Sequence, residues 1–134
     1  MLLELLKEIE NTVEGDEYIS YGASYFIKVD RLDCQITHRD SLRKLFLDLE
    51  VDIEDTSVEP IDIKDRLTDF NMINDLWHFH DDIADRFRKI ITDADAYYSP
   101  LDKDDYYSSG NVNDIFRILK KGDELVIIEF YACD

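Results

Sequence analysis

An α+β fold, with about four helices packed on a small, mainly antiparallel sheet, is what this sequence predicts, and three observations carry the prediction. Apolar residues recur at helical spacing in several stretches, most clearly over residues 71–91. Two other stretches, Tyr18–Val29 and Glu124–Cys133, are dense in aromatic and β-branched residues and read as strands. The two kinds of segment do not alternate regularly enough for repeated βαβ units, which argues against a wound parallel sheet. A single globular domain over 1–134 is the expectation at this length. With 45% apolar residues the chain can bury a core without a disulfide or a structural metal, and four Gly and two Pro leave little material for flexible linkers.

Taken in order, Leu2, Leu5, Leu6, Ile9 and Val13 share one helical stripe, and Gly15 is a natural stop. In Tyr18–Val29 the residues Tyr25, Ile27 and Val29 alternate with Phe26 and Lys28, so at least one strand lies there; a weaker strand signal runs through Leu32–Ile36. Asp40 is placed to cap a helix carrying Leu42, Leu45, Phe46 and Leu49. From Glu50 to Ile63 acid alternates with β-branched residues; strand, loop and extended arm are all compatible, and Pro60 argues against a central strand.

The 71–91 stretch predicts one long helix with an apolar stripe of Ile73, Leu76, Trp77, His80, Ile83, Ala84, Phe87, Ile90 and Ile91. Arg86, Arg88 and Lys89 then fall in its last turns, where cations suit the helix dipole. Residues 93–110 read as an Asp/Tyr/Ser loop. A further helix is expected from Asn111 or Asn113, burying Val112, Ile115, Phe116 and Leu119 and stopping at Gly122. A buried strand follows, through Leu125 to Ala132.

Charge narrows the partners. Asp and Glu outnumber Lys and Arg 32 to 15, for a net charge of −17. Nucleic acid and anionic membrane surfaces are repelled by such a chain, whereas a basic protein is attracted from a distance. The N-terminal residues carry acid where a signal peptide needs a positive region, and no stretch approaches the ~20 apolar residues of a membrane helix, so a cytoplasmic location is expected. Cys34 and Cys133 lack metal-ligand spacing and read as reduced, structural thiols; nothing in the sequence says whether they are close.

No complete catalytic or cofactor signature is present: there is no Gly-rich phosphate loop and no Gly-x-Ser-x-Gly elbow. The string Trp77-His78-Phe79-His80-Asp81-Asp82 invites a metal reading. On a helix, however, His78 and His80 point about 200° apart. His78 instead falls in a row with Asp75, Asp82 and Asp85, an arrangement suited to a divalent ion or to acid/base chemistry, and equally to a solvated acidic face. His38 has no recognisable nucleophile at a fixed spacing. Asp93-Ala-Asp-Ala-Tyr and Asp102-Lys-Asp-Asp resemble pieces of a calcium loop but lack its central Gly and terminal Glu. No metal, cofactor or small-molecule substrate is expected, and the chain is read as a non-enzyme.

Two segments are candidate binding surfaces. Asp93, Asp95, Asp102, Asp104 and Asp105 interleave with Tyr97, Tyr98, Tyr106 and Tyr107. Tyr supplies contact area at small entropy cost and Asp supplies short acceptors for Arg and Lys, so a basic protein surface would satisfy both. The other arrangement compatible with this composition is a polar loop whose tyrosines lie over the core. The secondary acidic patch is Asp48, Glu50, Asp52, Glu54, Asp55, Glu59 and Asp62, with no basic residue between Lys44 and Lys64. Unrelieved like charge destabilises a fold by self-repulsion, and that invites a functional explanation.

In size and charge the chain resembles the small acidic immunity proteins that bacteria pair with nuclease toxins, and also phage-type DNA mimics and acidic antitoxins. The resemblance covers the whole chain in composition and no residue motif carries it, so it transfers no site. It implies a non-catalytic, cytoplasmic protein that neutralises a basic partner, foremost by blocking the active site of a toxin nuclease domain. The alternatives are a nucleic-acid mimic that blocks a DNA- or RNA-binding protein, and a small metal-dependent enzyme using His78 and nearby Asp residues.

Overall fold

The computed structural model describes residues 1–15, 18–20, 23–31, 60–99, 106–109 and 112–133. Three helices and seven strands lie among them. Helix α1 (Leu2–Gly15) leads into β1 (Tyr18–Ser20) and β2 (Ala23–Arg31); then come β3 (Ile61–Asp62), α2 (Arg66–Trp77), α3 (Asp81–Asp93), β4 (Ala96–Ser99), β5 (Tyr106–Ser109), β6 (Val112–Lys121) and β7 (Glu124–Cys133). The sheet runs β1-β2-β7-β6-β4-β3, and every pairing is antiparallel. Its long centre is the β6–β7 hairpin. The other edge of β6 is shared end to end: β5 pairs with residues 112–115 and β4 with residues 118–120. The fold is thus α+β with an antiparallel sheet, as the sequence predicts.

Helix α1 follows its stripe. Leu2, Leu6, Ile9 and Val13 are buried, while Leu5 stays 47% exposed at the margin. Glu124, at the start of β7, fixes the beginning of this helix: its carboxylate accepts from the backbone N–H groups of Leu2 (3.2 Å) and Leu3 (3.0 Å). Those donors have no partner inside a helix, so an acid from a distant element satisfies them and suits the helix dipole.

The single helix predicted over residues 71–91 is two helices. His78 adopts a left-handed conformation (φ 55°, ψ 49°) and closes α2; His80 is extended and opens α3. The reason lies in the side chains flanking the break. Trp77 and Phe79 are both buried (1% and 5% exposed), yet on a continuous helix residues two apart face opposite ways. The left-handed residue turns the chain so that both enter one core. Phe79 then packs on Phe87 and Phe130 (centroids 5.4 and 6.1 Å), and Trp77 meets Phe130 edge-on at 6.0 Å. Two residues assigned to the apolar stripe come out exposed: His80, and Leu76 at 42%.

Helix α3 also runs on to Asp93, so Arg86, Arg88 and Lys89 do not occupy its last turn. The cations at its C-terminal carbonyls come from other elements: Arg66 of α2 donates to Ile91 O (3.0 Å) and Ala94 O (2.6 Å), and Lys121 of β6 to Asp93 O (2.9 Å).

A second correction concerns residues 112–121, expected as a helix and found as strand β6. Ile115, Phe116, Arg117, Ile118 and Leu119 are all buried, so both faces of this strand are covered. A strand buried on both faces shows a continuous apolar run instead of alternation, and over five residues that run cannot be told from a helical stripe. Gly122 is accordingly no helix stop. With φ 59° it takes the first central position of the two-residue β6–β7 turn, and Asp123 after it has negative φ, the pattern of a type II′ hairpin. The 93–110 stretch read as loop contributes β4 and β5. The helix expected after Asp40 and the weak strand through Leu32–Ile36 lie outside the described residues.

Helices α1, α2 and α3 share one core with the sheet through Ile115, Leu119, Val126, Ile128 and Phe130. These alternate positions of β6 and β7 face the helices, and Arg117 occupies the position between Ile115 and Leu119. Among the described residues this guanidinium is the one fully buried charge on the core side of the sheet, and it is answered by Asp69 of α2.

Candidate partner-binding surface

The described cations are largely engaged by other parts of the fold. Arg117, 1% exposed, donates from Nε and Nη2 to the two oxygens of Asp69 (2.9 and 2.8 Å) and from Nη1 to Phe116 O (2.8 Å). Arg66 brackets the end of α3. Arg88 holds Asp85 (2.9 Å) and Asn71 (3.1 Å) beneath a cation–π contact with Phe70. Arg86 reaches Glu8 at 3.2 Å, Lys7 reaches Glu10 at 3.2 Å, and Lys121 donates to Asp93 O at 2.9 Å. Carboxylates are distributed the other way. Asp62, Asp75, Asp81, Asp82 and Asp123 are exposed and have no ion-pair partner among the described residues. Unpaired acid is thus displayed outward while Arg66 and Arg117 brace the fold; Lys64, Lys89 and Lys120 are exposed cations without an ion pair among the described residues.

The tyrosine-acid segment divides into residues with different duties. Tyr97 is 1% exposed, and its hydroxyl donates to Asp69 Oδ2 beside Arg117; it belongs to the core and not to an accessible face. Burial, and next the Asp69 carboxylate, push its phenol well above the usual range, with Arg117 opposing. Asp95 accepts from the Gly122 N–H at 2.7 Å and lies 3.8 Å from Lys121, holding the β6–β7 turn. Asp93 is exposed and stands 3.5 Å from Lys121. Tyr98 is half-buried in β4. Tyr106 and Tyr107 lie in β5, in register with Ile115 and Asp114. Asp102, Asp104 and Asp105 lie outside the described residues, as do Asp48, Glu50, Asp52, Glu54, Asp55 and Glu59.

One contact joins the two segments that the sequence keeps apart. Asp62, the last acid of the secondary patch, is exposed in β3 directly opposite Tyr98 of β4. Directly opposed residues of an antiparallel pair share a face, so this sheet edge brings a member of each patch side by side. Tyr98 also pairs with Ile118, which places the two on the face of the sheet away from Arg117 and the helices.

A second group of acids lies at the α2–α3 elbow, where the sequence places Asp75, Asp82 and Asp85 in a row with His78 and the structure adds two exposed apolar residues. Asp75, Asp81, Asp82 and Asp85 surround the elbow, and Met72 and Leu76, one helical turn apart, are 40% and 42% exposed beside them. Both lie off the face of α2 that buries Phe70, Ile73 and Trp77. Asp81 and Asp82 sit in the first turn of α3, where the dipole favours them. His78 itself is exposed at the elbow. Among the described residues no three His, Cys, Asp or Glu side chains converge on a position for one metal ion. No described helix is long and apolar enough to cross a membrane.

No protein-family model, no curated protein and no solved structure matches the chain.

Proposed function

We propose that this chain is a non-catalytic acidic binding protein that neutralises a basic protein partner, as an immunity protein blocks a bacterial nuclease toxin. The observation that carries this reading is the division of charge: Arg66 and Arg117 are tied to acceptors inside the fold, whereas Asp62, Asp75, Asp81 and Asp82 face solvent with no ion-pair partner among the described residues. Such a surface steers a basic partner into encounter, at rates that fall with ionic strength. Affinity then needs a few desolvated anchors. Tyr98 beside Asp62 supplies one aromatic of this kind, and Tyr106 and Tyr107 belong to the neighbouring strand. Carboxylates and phenols seated in a cationic cleft take the places that substrate phosphates would fill.

The test is affinity capture on the immobilised chain from its source cells at low salt, followed by a salt gradient. A basic protein eluting with rising salt is the expected outcome, and Asp62→Lys combined with Asp102→Lys and Asp104→Lys weakens its retention. A nuclease activity in that eluate, suppressed by wild-type chain and not by the triple variant, completes the case. Retention indifferent both to salt and to these reversals would sink it.

A further inference from the structure

A pocket of 380 Å³ opens between the start of α1, the end of α3 and the β6–β7 turn. Its floor is apolar: Leu2 and Ala94 are nearly buried, Ile90 is half-buried, and Leu5 is 47% exposed at the mouth. The size falls within the range of about 300–1,000 Å³ typical of small-molecule sites. Three of the chain's few cations border it, Arg86 and Lys89 from α3 and Lys121 from β6; Asp93 is the acid on the same rim. In a chain of net charge −17 this grouping is unexpected.

The three cations differ in what they have left to offer. Lys89 is exposed and has no ion-pair partner among the described residues. Arg86 places Nη2 on Glu8, and a guanidinium carries five N–H donors in all. Lys121 is shared between Asp93 and Asp95. An apolar floor with an incompletely used cationic rim matches a molecule with a hydrocarbon body and one anionic head. The overall negative charge does not forbid it, because the Debye length is about 8 Å at physiological ionic strength and the rim groups act from closer range.

We infer that this pocket binds a medium-chain alkyl carboxylate, its chain over Leu2, Leu5, Ile90 and Ala94 and its head between Lys89 and Arg86. The site shares Asp93, on its rim, with the tyrosine-acid segment but none of Asp62, Tyr98, Asp75, Asp81 and Asp82. Neither Lys89→Glu nor Ile90→Trp touches those residues, so failure of one reading is distinguishable from failure of the other.

The experiment is an NMR chemical-shift titration of the full chain with octanoate, with 1-octanol as the uncharged control. Saturable shifts of the Leu5, Ile90 and Ala94 methyls are expected, with octanoate binding more tightly than octanol. Lys89→Glu should remove that advantage, a loss of up to about fivefold as befits one exposed ion pair, and leave octanol affinity unchanged. Ile90→Trp, filling the floor, should abolish both, and a wild-type-like spectrum elsewhere would show that the variant still folds. The inference is overturned if the methyl shifts fail to saturate, or if octanol binds the wild-type chain as tightly as octanoate does.

Discussion

Arg117 and Asp69 form a two-pronged ion pair between the centre of the sheet and α2, Nε to Oδ2 at 2.9 Å and Nη2 to Oδ1 at 2.8 Å. Arg117 is 1% exposed and Asp69 13% on their side chains, so neither is freely solvated. Asp69→Ala is expected to cost about 3–5 kcal/mol, because the buried guanidinium loses its two-pronged carboxylate and the Tyr97 hydroxyl loses its acceptor. Replacing Asp69, Tyr97 and Arg117 together by Leu, Phe and Met is expected to recover most of that loss, since desolvating the charges offsets much of what their attraction returns. Urea denaturation of the single and triple variants decides it: a triple variant as unstable as Asp69→Ala would contradict this account.

Tyr97 shares the same carboxylate, and its phenol titrates late because burial, and next Asp69, disfavour the phenolate. Its pKa is raised on folding. The associated stability is therefore fully present below the unfolded value near 10 and is lost as pH rises beyond it, when only the unfolded chain ionises. Tyr97→Phe should cost about 1.5–3 kcal/mol at neutral pH for the lost hydrogen bond to a charged acceptor. It should also flatten the alkaline decline in stability. In an absorbance titration the wild-type chain should release one more phenolate than the variant on unfolding at high pH. Equal release would place Tyr97 in contact with solvent.

Glu124 couples the β6–β7 turn to α1. Its carboxyl is held below the usual range first by the Leu3 N–H and then by the Leu2 N–H. For a depressed acid the sign is opposite to that of Tyr97: the stabilisation is present above the unfolded value near 4.3 and disappears as pH falls through the folded one. Glu124→Gln should lower the melting temperature at pH 7, and the gap between variant and wild type should close in strong acid. A gap that persists unchanged at low pH would mean that the charge is not what holds the helix start.

How far the sequence reveals the molecule depends on how local each determinant is. Helix α1 was readable because Leu2, Leu6, Ile9 and Val13 encode their face by spacing alone, and β7 because its apolar run is framed by a turn. Strand β6 was not, since Ile115 to Leu119 are buried from both sides and lose the alternation that marks a half-exposed strand. The acidic surplus is a matter of counting, yet its arrangement is long-range. That Asp62 lies opposite Tyr98 follows from strand pairing across 36 residues of sequence separation. Likewise, that Tyr97 belongs to the core and Tyr98 does not follows from which face of β4 meets α2, a packing fact that a Tyr-Tyr pair cannot encode.

The helix break is the sharpest case, and it carries its own prediction. Trp77 and Phe79 both demand the core, so His78 must take φ 55°, a conformation in which a side chain crowds the following carbonyl and which Gly adopts freely. The α2 terminus already has the form of a left-handed cap, with the His78 N–H donating to Asn74 O at 2.7 Å. If His78 is placed there only by the turn, His78→Gly should leave the fold intact and stabilise it by up to about 1 kcal/mol. His78→Val, β-branched and poorly tolerated at positive φ, should destabilise it by at least as much. Chemical denaturation of the pair tests the idea against a role for the imidazole itself: were both replacements to destabilise equally, His78 would be holding the elbow through its side chain and not through its backbone.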